Sequence, residues 1–250
     1  MAQRTCLVTG AGRGIGREIA IRLAAAGHRV ALTARSEPEL AETAAACGGG
    51  LVVPLDLTEP GAVDELFARV ERELGPVDVL VANAGAATSA PLVRTTDEQW
   101  QRMLDLNLTV PFRCLRRAVP AMTAAGWGRI VVIGSVASRV GAPYVAAYTA
   151  SKHGVLGLVR SAAAELVKSG VTVNAVCPGY VDTSMTDGAV ATIATTTGRT
   201  PEQARGILAN QQPIGRLITV EEVASAVMFC VANGAVTGQA INVDGGTVQS

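Results

Sequence analysis

Aromatic side chains are scarce in this 250-residue chain: Phe, Tyr and Trp together make up 3% of it. Hydrophobic residues still account for 49%. The core must therefore be built from Ala, Val, Leu and Ile, which suits close packing of helices on a sheet. An excess of either charge is also missing, because 21 basic residues balance 21 acidic ones. No basic block marks a nucleic-acid partner. The five cysteines, Cys6, Cys47, Cys114, Cys177 and Cys230, form no C-x-x-C pair and are odd in number. They read as buried free thiols in a reducing compartment. No cluster of His, Cys and carboxylates suggests a metal. Neither a signal-peptide pattern nor an apolar run long enough to span a bilayer is present. The expectation is a soluble, cytoplasmic protein with no membrane partner.

What is present alternates. Apolar, strand-like runs fall at Thr5–Thr9, Arg29–Ala34, Leu51–Leu55, Val77–Ala82, Arg129–Ile133, Val171–Val176 and Gln239–Val243. Between them, apolar residues recur at helical spacing from Ile15 to Ala26, in Ala62–Leu74, from Asp97 to about Met122, in Tyr148–Ser169 and in Glu221–Val231. Alternation of this kind predicts an α/β protein with a doubly wound parallel sheet of about seven strands and helices on both faces. No repeat or low-complexity linker divides the chain, so residues 1–250 read as one dinucleotide-binding domain. The stretch 181–212 breaks the rhythm: it is rich in Thr, Gly and Ala and has no strand pattern, with a short helix suggested at Ala204–Asn210. It follows the C-terminal end of a strand, where open α/β sheets bind ligands. A substrate lid is expected there.

Gly10, Gly14 and Gly16 lie between the first strand and the first helix. Glycines let a backbone turn approach a pyrophosphate, and the helix start, from Ile15 on, offers free N–H groups to the anion. The second strand ends in Ala34-Arg35, where an NAD site places a carboxylate for the ribose hydroxyls. Arg35, with Arg13 from the glycine turn, can instead bind a 2′-phosphate through charge-assisted bonds. The expected cofactor is NADP(H). Asp56-Leu57 after the third strand is placed to meet the adenine edge, and Asn83-Ala84-Gly85 after the fourth to pass near the ribose. Tyr148 and Lys152 stand four residues apart, on one helix face. A cation beside a phenol favours the phenolate and lowers its pKa, which yields a proton donor for an alkoxide formed from a ketone.

Together with Asn107, Ser135 and Pro178–Thr183, these residues resemble the short-chain dehydrogenase/reductase family over Thr5 to Gly246. The resemblance implies direct hydride transfer with Tyr148 as acid or base and Ser135 polarising the carbonyl. Lys152 would bind the nicotinamide ribose and depress the phenol pKa, and Asn107 would order a relay water. Pro178, Gly179, Val181 and Thr183 would line the nicotinamide, with Thr183 on its carboxamide. It also implies a homotetramer or homodimer pairing through the two long helices.

The later part of the chain, notably Ser151–Val155 and Pro213–Arg216, looks closest to bacterial 3-oxoacyl-thioester reductases and polyketide ketoreductases. Ala86-Ala87-Thr88-Ser89 replaces the Pro-Gly-Gly-like stretch of the aromatic polyketide enzymes. Pocket candidates are Val136, Gly141, Pro143, Tyr144, Tyr180, Met185 and Ile207. Most are apolar, which leaves a small ketone, a 3-oxoacyl thioester and a cyclic ketone all open. Arg94, Arg102, Arg113, Arg116 and Arg117 could receive an acyl carrier protein, or could simply form a solvated or oligomer-facing surface.

Overall fold

The computed structural model describes residues 2–249. In chain order the elements are β1 (Thr5–Thr9), α1 (Gly14–Ala25), β2 (Arg29–Ala34), α2 (Glu37–Ala46), β3 (Leu51–Pro54), α3 (Ala62–Leu74) and β4 (Val79–Ala82). Then come α4 (Asp97–Leu104), a π-helical turn (Asp105–Thr109), α5 (Val110–Ala125), β5 (Gly128–Ile133) and α6 (Ala146–Leu166). The chain continues through β6 (Val171–Pro178), α7 (Ser184–Thr197), α8 (Pro201–Asn210), α9 (Val220–Ala232) and β7 (Ala240–Val243). The seven strands form one parallel sheet in the order β3-β2-β1-β4-β5-β6-β7. This is the doubly wound Rossmann-type arrangement expected from the alternation.

Side chains along each central strand alternate between two cores. Leu7, Leu80 and Ile130 join α3, α5 and α6 around Phe67, Leu115 and Val159. Their neighbours Val8, Val79 and Val131 join α1, α2 and α9 around Ile19, Leu40 and Val227. Burial on both faces explains why β1, β4 and β5 read as unbroken apolar runs. The chain runs outward from β1 to β3, then returns to place β4 against the other side of β1. A crevice therefore opens at the C-terminal ends of β1 and β4, where the winding reverses. Parallel register brings Thr9 beside Thr33, and Pro178 beside Val243, along that edge. Among the described residues no helix is long and apolar enough to cross a membrane.

Three expectations need correction. The helix read from Asp97 to Met122 is two helices joined by the π-helical turn at Asp105–Thr109. An extra residue in the helix is invisible to periodicity, because the apolar pattern resumes after it. The helix α2 went unread, although Ser36 caps it by accepting from the Glu39 N–H at 3.4 Å and Pro38 sits in its first turn. Its face is short, with only Leu40 and Thr43 buried. The stretch 181–212 is largely helical, carrying α7 as well as α8. Threonine disfavours helices, but Thr192, Thr195, Thr196 and Thr197 each donate a hydroxyl bond to the carbonyl four residues back. Val190, Ala204 and Leu208 give the helix pair a small apolar core of its own.

Candidate active site

The crevice is floored by the glycine turn. Gly10 has φ +64°, and a Cβ there would come within 2.8 Å of the Asn83 Nδ2. At Gly16 a Cβ would collide with the Gly10 carbonyl. The turn is thus packed too tightly for side chains and leaves its N–H groups bare at the start of α1. Asn83 does not simply pass the crevice. Its Nδ2 donates to the Thr9 and Gly10 carbonyls at 2.9 and 3.1 Å. The Thr9 hydroxyl oxygen in turn accepts from the N–H groups of Asn83 and Ala84 at 3.0 and 2.9 Å. Thr9, which the sequence reading assigned no role of its own, locks β1 to β4 at the switch point. Ile15 is half-buried against the α1 core. The Thr33 hydroxyl at the end of β2 is buried without a protein partner.

At the outer end of the crevice Arg35 is exposed, and its charge helps to hold Asp56 below the usual carboxylate range. The larger cause is local: Thr58 donates both its hydroxyl (2.6 Å) and its N–H (3.0 Å) to the Asp56 Oδ1. Leu57 is buried in the core beneath. Arg13 is exposed and reaches the Glu39 carboxylate at 3.4 Å. The end of β2 carries no carboxylate at this edge; α2 supplies one in Glu39.

Deeper in, two hydroxyls meet. The Ser135 side chain lies close enough to the Tyr148 phenol to lower its pKa. Ser135 lies two residues beyond β5 in extended backbone, where it caps a short 3-10 turn, and its Oγ accepts from the Ala137 N–H at 3.1 Å. Its own N–H donates to the Ser138 Oγ at 3.1 Å. Lys152 is buried one helical turn on from Tyr148, with its Nζ 5.8 Å from the ring centre and donating to the Ile133 carbonyl at 2.9 Å. Burial lowers the Lys152 pKa to about 8. Burial also raises that of Tyr148, outweighing the nearby Ser135 side chain, which lowers it. Spacing alone does not register this desolvation of the phenol. At neutral pH the phenol keeps its proton and the lysine its charge.

Asn107 sits in the π-helical turn and is buried. Its Oδ1 accepts from the Ala86 N–H at 3.1 Å, while its Nδ2 donates to the Ala86 carbonyl at 2.9 Å and to the Ser151 Oγ at 3.2 Å. Ser151 then donates to the Tyr148 carbonyl at 2.7 Å. One side chain thus joins the loop after β4 to the helix that carries Tyr148. Ser151 was missed from sequence, although its place between Tyr148 and Lys152 was the available signal. Gly85 fits under this amide, where a Cβ would fall 2.9 Å from the Asn107 Oδ1.

The loop after β6 closes the crevice. Gly179 donates its N–H to the Val243 carbonyl at 3.0 Å, and Val181 bridges to Ile218. Thr183 reaches across to the glycine turn, 3.3 Å from where a Gly14 Cβ would lie. A cavity of about 370 Å³ opens at this junction, lined by Arg13, Gly14, Arg17 and Thr183 among others. Gln212, another residue the sequence reading overlooked, is buried, accepts from the Tyr180 N–H at 2.9 Å and donates to the Tyr180 and Arg216 carbonyls. Arg205 of α8 pairs with Asp182 and with Asp187 of α7, which clasps the helix pair to this loop.

The pocket candidates are dispersed. Tyr180 lies close enough to Tyr148 to raise its pKa further, and Val136 follows Ser135 in a short 3-10 turn. Gly141, Pro143 and Tyr144 are exposed on the loop before α6. Tyr144 has φ +67°, and its carbonyl accepts from the Ala90 N–H at 2.8 Å. Met185 and Ile207 lie on α7 and α8, the first exposed and the second half-buried. Of the arginines considered for a carrier protein, Arg117 is committed to Glu71 through two bonds of 2.8 and 2.6 Å.

Fold and site together define the class of Rossmann-type oxidoreductases. A family model described as enoyl-(acyl carrier protein) reductase matches residues 10–248. The 3-oxoacyl-[acyl-carrier-protein] reductase FabG of Escherichia coli is 39% identical over 248 residues, covering 97% of this chain and 96% of the relative. The D-beta-hydroxybutyrate dehydrogenase of Rhizobium meliloti is 37% identical over 252 residues, covering 97% and 98%. A solved structure of an actinorhodin polyketide ketoreductase variant with NADPH superposes with a TM-score of 0.94 at 38% identity, covering 98% of this chain and 97% of the other. The chain belongs to the short-chain dehydrogenase/reductase family of oxidoreductases.

Proposed function

We propose that this protein is an NADPH-dependent carbonyl reductase that converts a 3-oxoacyl thioester or related ketone to a secondary alcohol. The observation that carries the reading is the Ser135–Tyr148 hydroxyl pair with buried Lys152 behind it. Two adjacent hydroxyls can both donate to one substrate oxygen. Relatives named as 3-oxoacyl reductases support the substrate class, and a ketoreductase solved with NADPH supports the cofactor.

The residues fit a dinucleotide. The tightly packed glycine turn bares N–H groups for a pyrophosphate. Gly10, Gly14, Ile15 and Gly16 would hold the diphosphate. Arg13 and Arg35 would meet a 2′-phosphate, and Asp56 and Leu57 the adenine. Ala84, Gly85, Lys152, Pro178, Gly179, Val181 and Thr183 would line the nicotinamide half. When bound, the reduced cofactor supplies a hydride.

The chain's own residues do the rest. Ser135 donates to the carbonyl oxygen and fixes its position. Tyr148 donates its proton as negative charge develops on that oxygen. The Lys152 ammonium stabilises the resulting phenolate. The Asn107 amide is committed to Ala86 and Ser151, so a relay water would be held at its main chain. Residues 1–250 act as one catalytic domain with α7 and α8 as a lid, and copies pair through α5 and α6.

The test follows NADPH and NADH absorbance side by side with acetoacetyl thioesters and a panel of cyclic ketones. NADPH-linked turnover that disappears in Tyr148→Phe is expected. Nucleotide binding without turnover of any ketone would sink the catalytic reading. The hydroxybutyrate dehydrogenase relative makes the reverse direction the second reading, and the same assay run with 3-hydroxyacyl substrates and oxidised cofactor decides it.

A further inference from the structure

The nucleotide edge contains a group that works against the two arginines. We infer that Glu39 sets how strongly this enzyme discriminates NADPH from NADH, an inference that rests on the function proposed above. The Glu39 Oε2 lies 3.0 Å from where a Gly12 Cβ would be, and that point is 3.7 Å from the Ala34 Cβ. The carboxylate therefore stands between the glycine turn and the end of β2, the place where this class of fold seats the adenosine ribose. Its other oxygen is 3.4 Å from the Arg13 Nη1. The position is held from behind. Thr43, one turn along α2, donates its hydroxyl to the Gly12 carbonyl at 3.2 Å and to the Glu39 carbonyl at 3.0 Å.

A carboxylate here has opposite effects on the two cofactors. It accepts a hydrogen bond from a free 2′-hydroxyl, and it repels a 2′-phosphate. It also occupies Arg13, so that Arg35, whose charge also acts on Asp56, carries most of the phosphate recognition. Discrimination in the wild type is then a small difference between an attraction and a repulsion.

The experiment compares Glu39→Gln with the wild type. Calorimetry measures adenosine 2′,5′-bisphosphate and adenosine 5′-monophosphate, and initial rates give kcat/KM for NADPH and NADH. Removing one like charge at a solvent-exposed edge should tighten the bisphosphate by about 3- to 10-fold. The monophosphate should bind no better than before. The NADPH-to-NADH ratio should rise by the same factor, mainly through KM, and the gain should shrink when Arg13→Ala is added. Equal tightening of both nucleotides, or no change in either, would overturn the role of Glu39 while leaving the proposed function intact. A wild type that binds neither nucleotide would overturn both.

Discussion

Lys152→Met should separate stability from activity. The ammonium is buried with its pKa lowered from 10.5 to about 8 by desolvation. At 1.36 kcal/mol for each tenfold change, holding that charge at neutral pH costs the folded state about 3 kcal/mol. Because the folded pKa lies below the unfolded one, the unfolded chain binds more protons between about pH 8 and 10.5. The penalty is therefore present in full below about pH 8 and is relieved as pH rises toward 10.5. Methionine fills the same space without titrating. It also strips the Ile133 carbonyl of its 2.9 Å donor, a loss that does not change with pH. Between about pH 7 and 9.5 the wild type should gain about 2 kcal/mol on the variant. Urea unfolding followed by circular dichroism at four pH values in that interval measures the difference. A wild-type-minus-variant gap that stays flat across the interval would refute the reasoning, whatever its absolute size. Ketone reduction by the variant should be lost at every pH.

Gly16→Ala should weaken nucleotide binding at least 100-fold, because its Cβ would strike the Gly10 carbonyl and the Asn83 amide that shape the turn; calorimetry with adenosine 2′,5′-bisphosphate checks this, and binding within threefold of wild type would contradict it. Cys6, Cys114, Cys177 and Cys230 are buried and Cys47 is half-buried, so a chromogenic disulfide reagent should titrate one thiol in the native protein and five after unfolding; rapid loss of more than one native thiol would show that the packing is misread. Arg205→Ala removes the exposed pairs to Asp182 and Asp187 and should change global stability by less than about 1 kcal/mol. It should nonetheless speed proteolytic cleavage within residues 184–210 and raise the KM for NADPH severalfold, and an unchanged cleavage rate would mean that the clasp does not hold the lid.

The sheet was legible in the sequence because its central strands are buried on both faces. Apolar runs such as Val79–Ala82 have no alternative reading once Gly75-Pro76 has ended the preceding helix. The glycine turn was legible for a similar reason, since three closely spaced glycines where a strand passes into a helix have a steric cause that survives in one dimension. What escaped were partnerships across the chain. Glu39 stands beside the glycine turn only because Thr43 and Leu40 dock α2 there, and nothing local in Ser36-Glu37-Pro38-Glu39 announces it. The phenol's raised pKa escaped because the Tyr148–Lys152 spacing shows the attraction between the two groups and hides the desolvation of each.

Asn107 shows how far such hidden geometry can decide function. Read as part of one continuous α-helix, its amide is a mildly unfavourable mid-helix residue. The π-helical turn re-aims the amide. It then satisfies both polar groups of Ala86 and also reaches Ser151. Those bonds repay the helix for its irregular turn, and they fix the β4 loop against the helix that presents Tyr148. Tyr148 and the loop after β4 are thus set by one side chain, whose place in the helix depends on a single inserted residue that the apolar periodicity does not register.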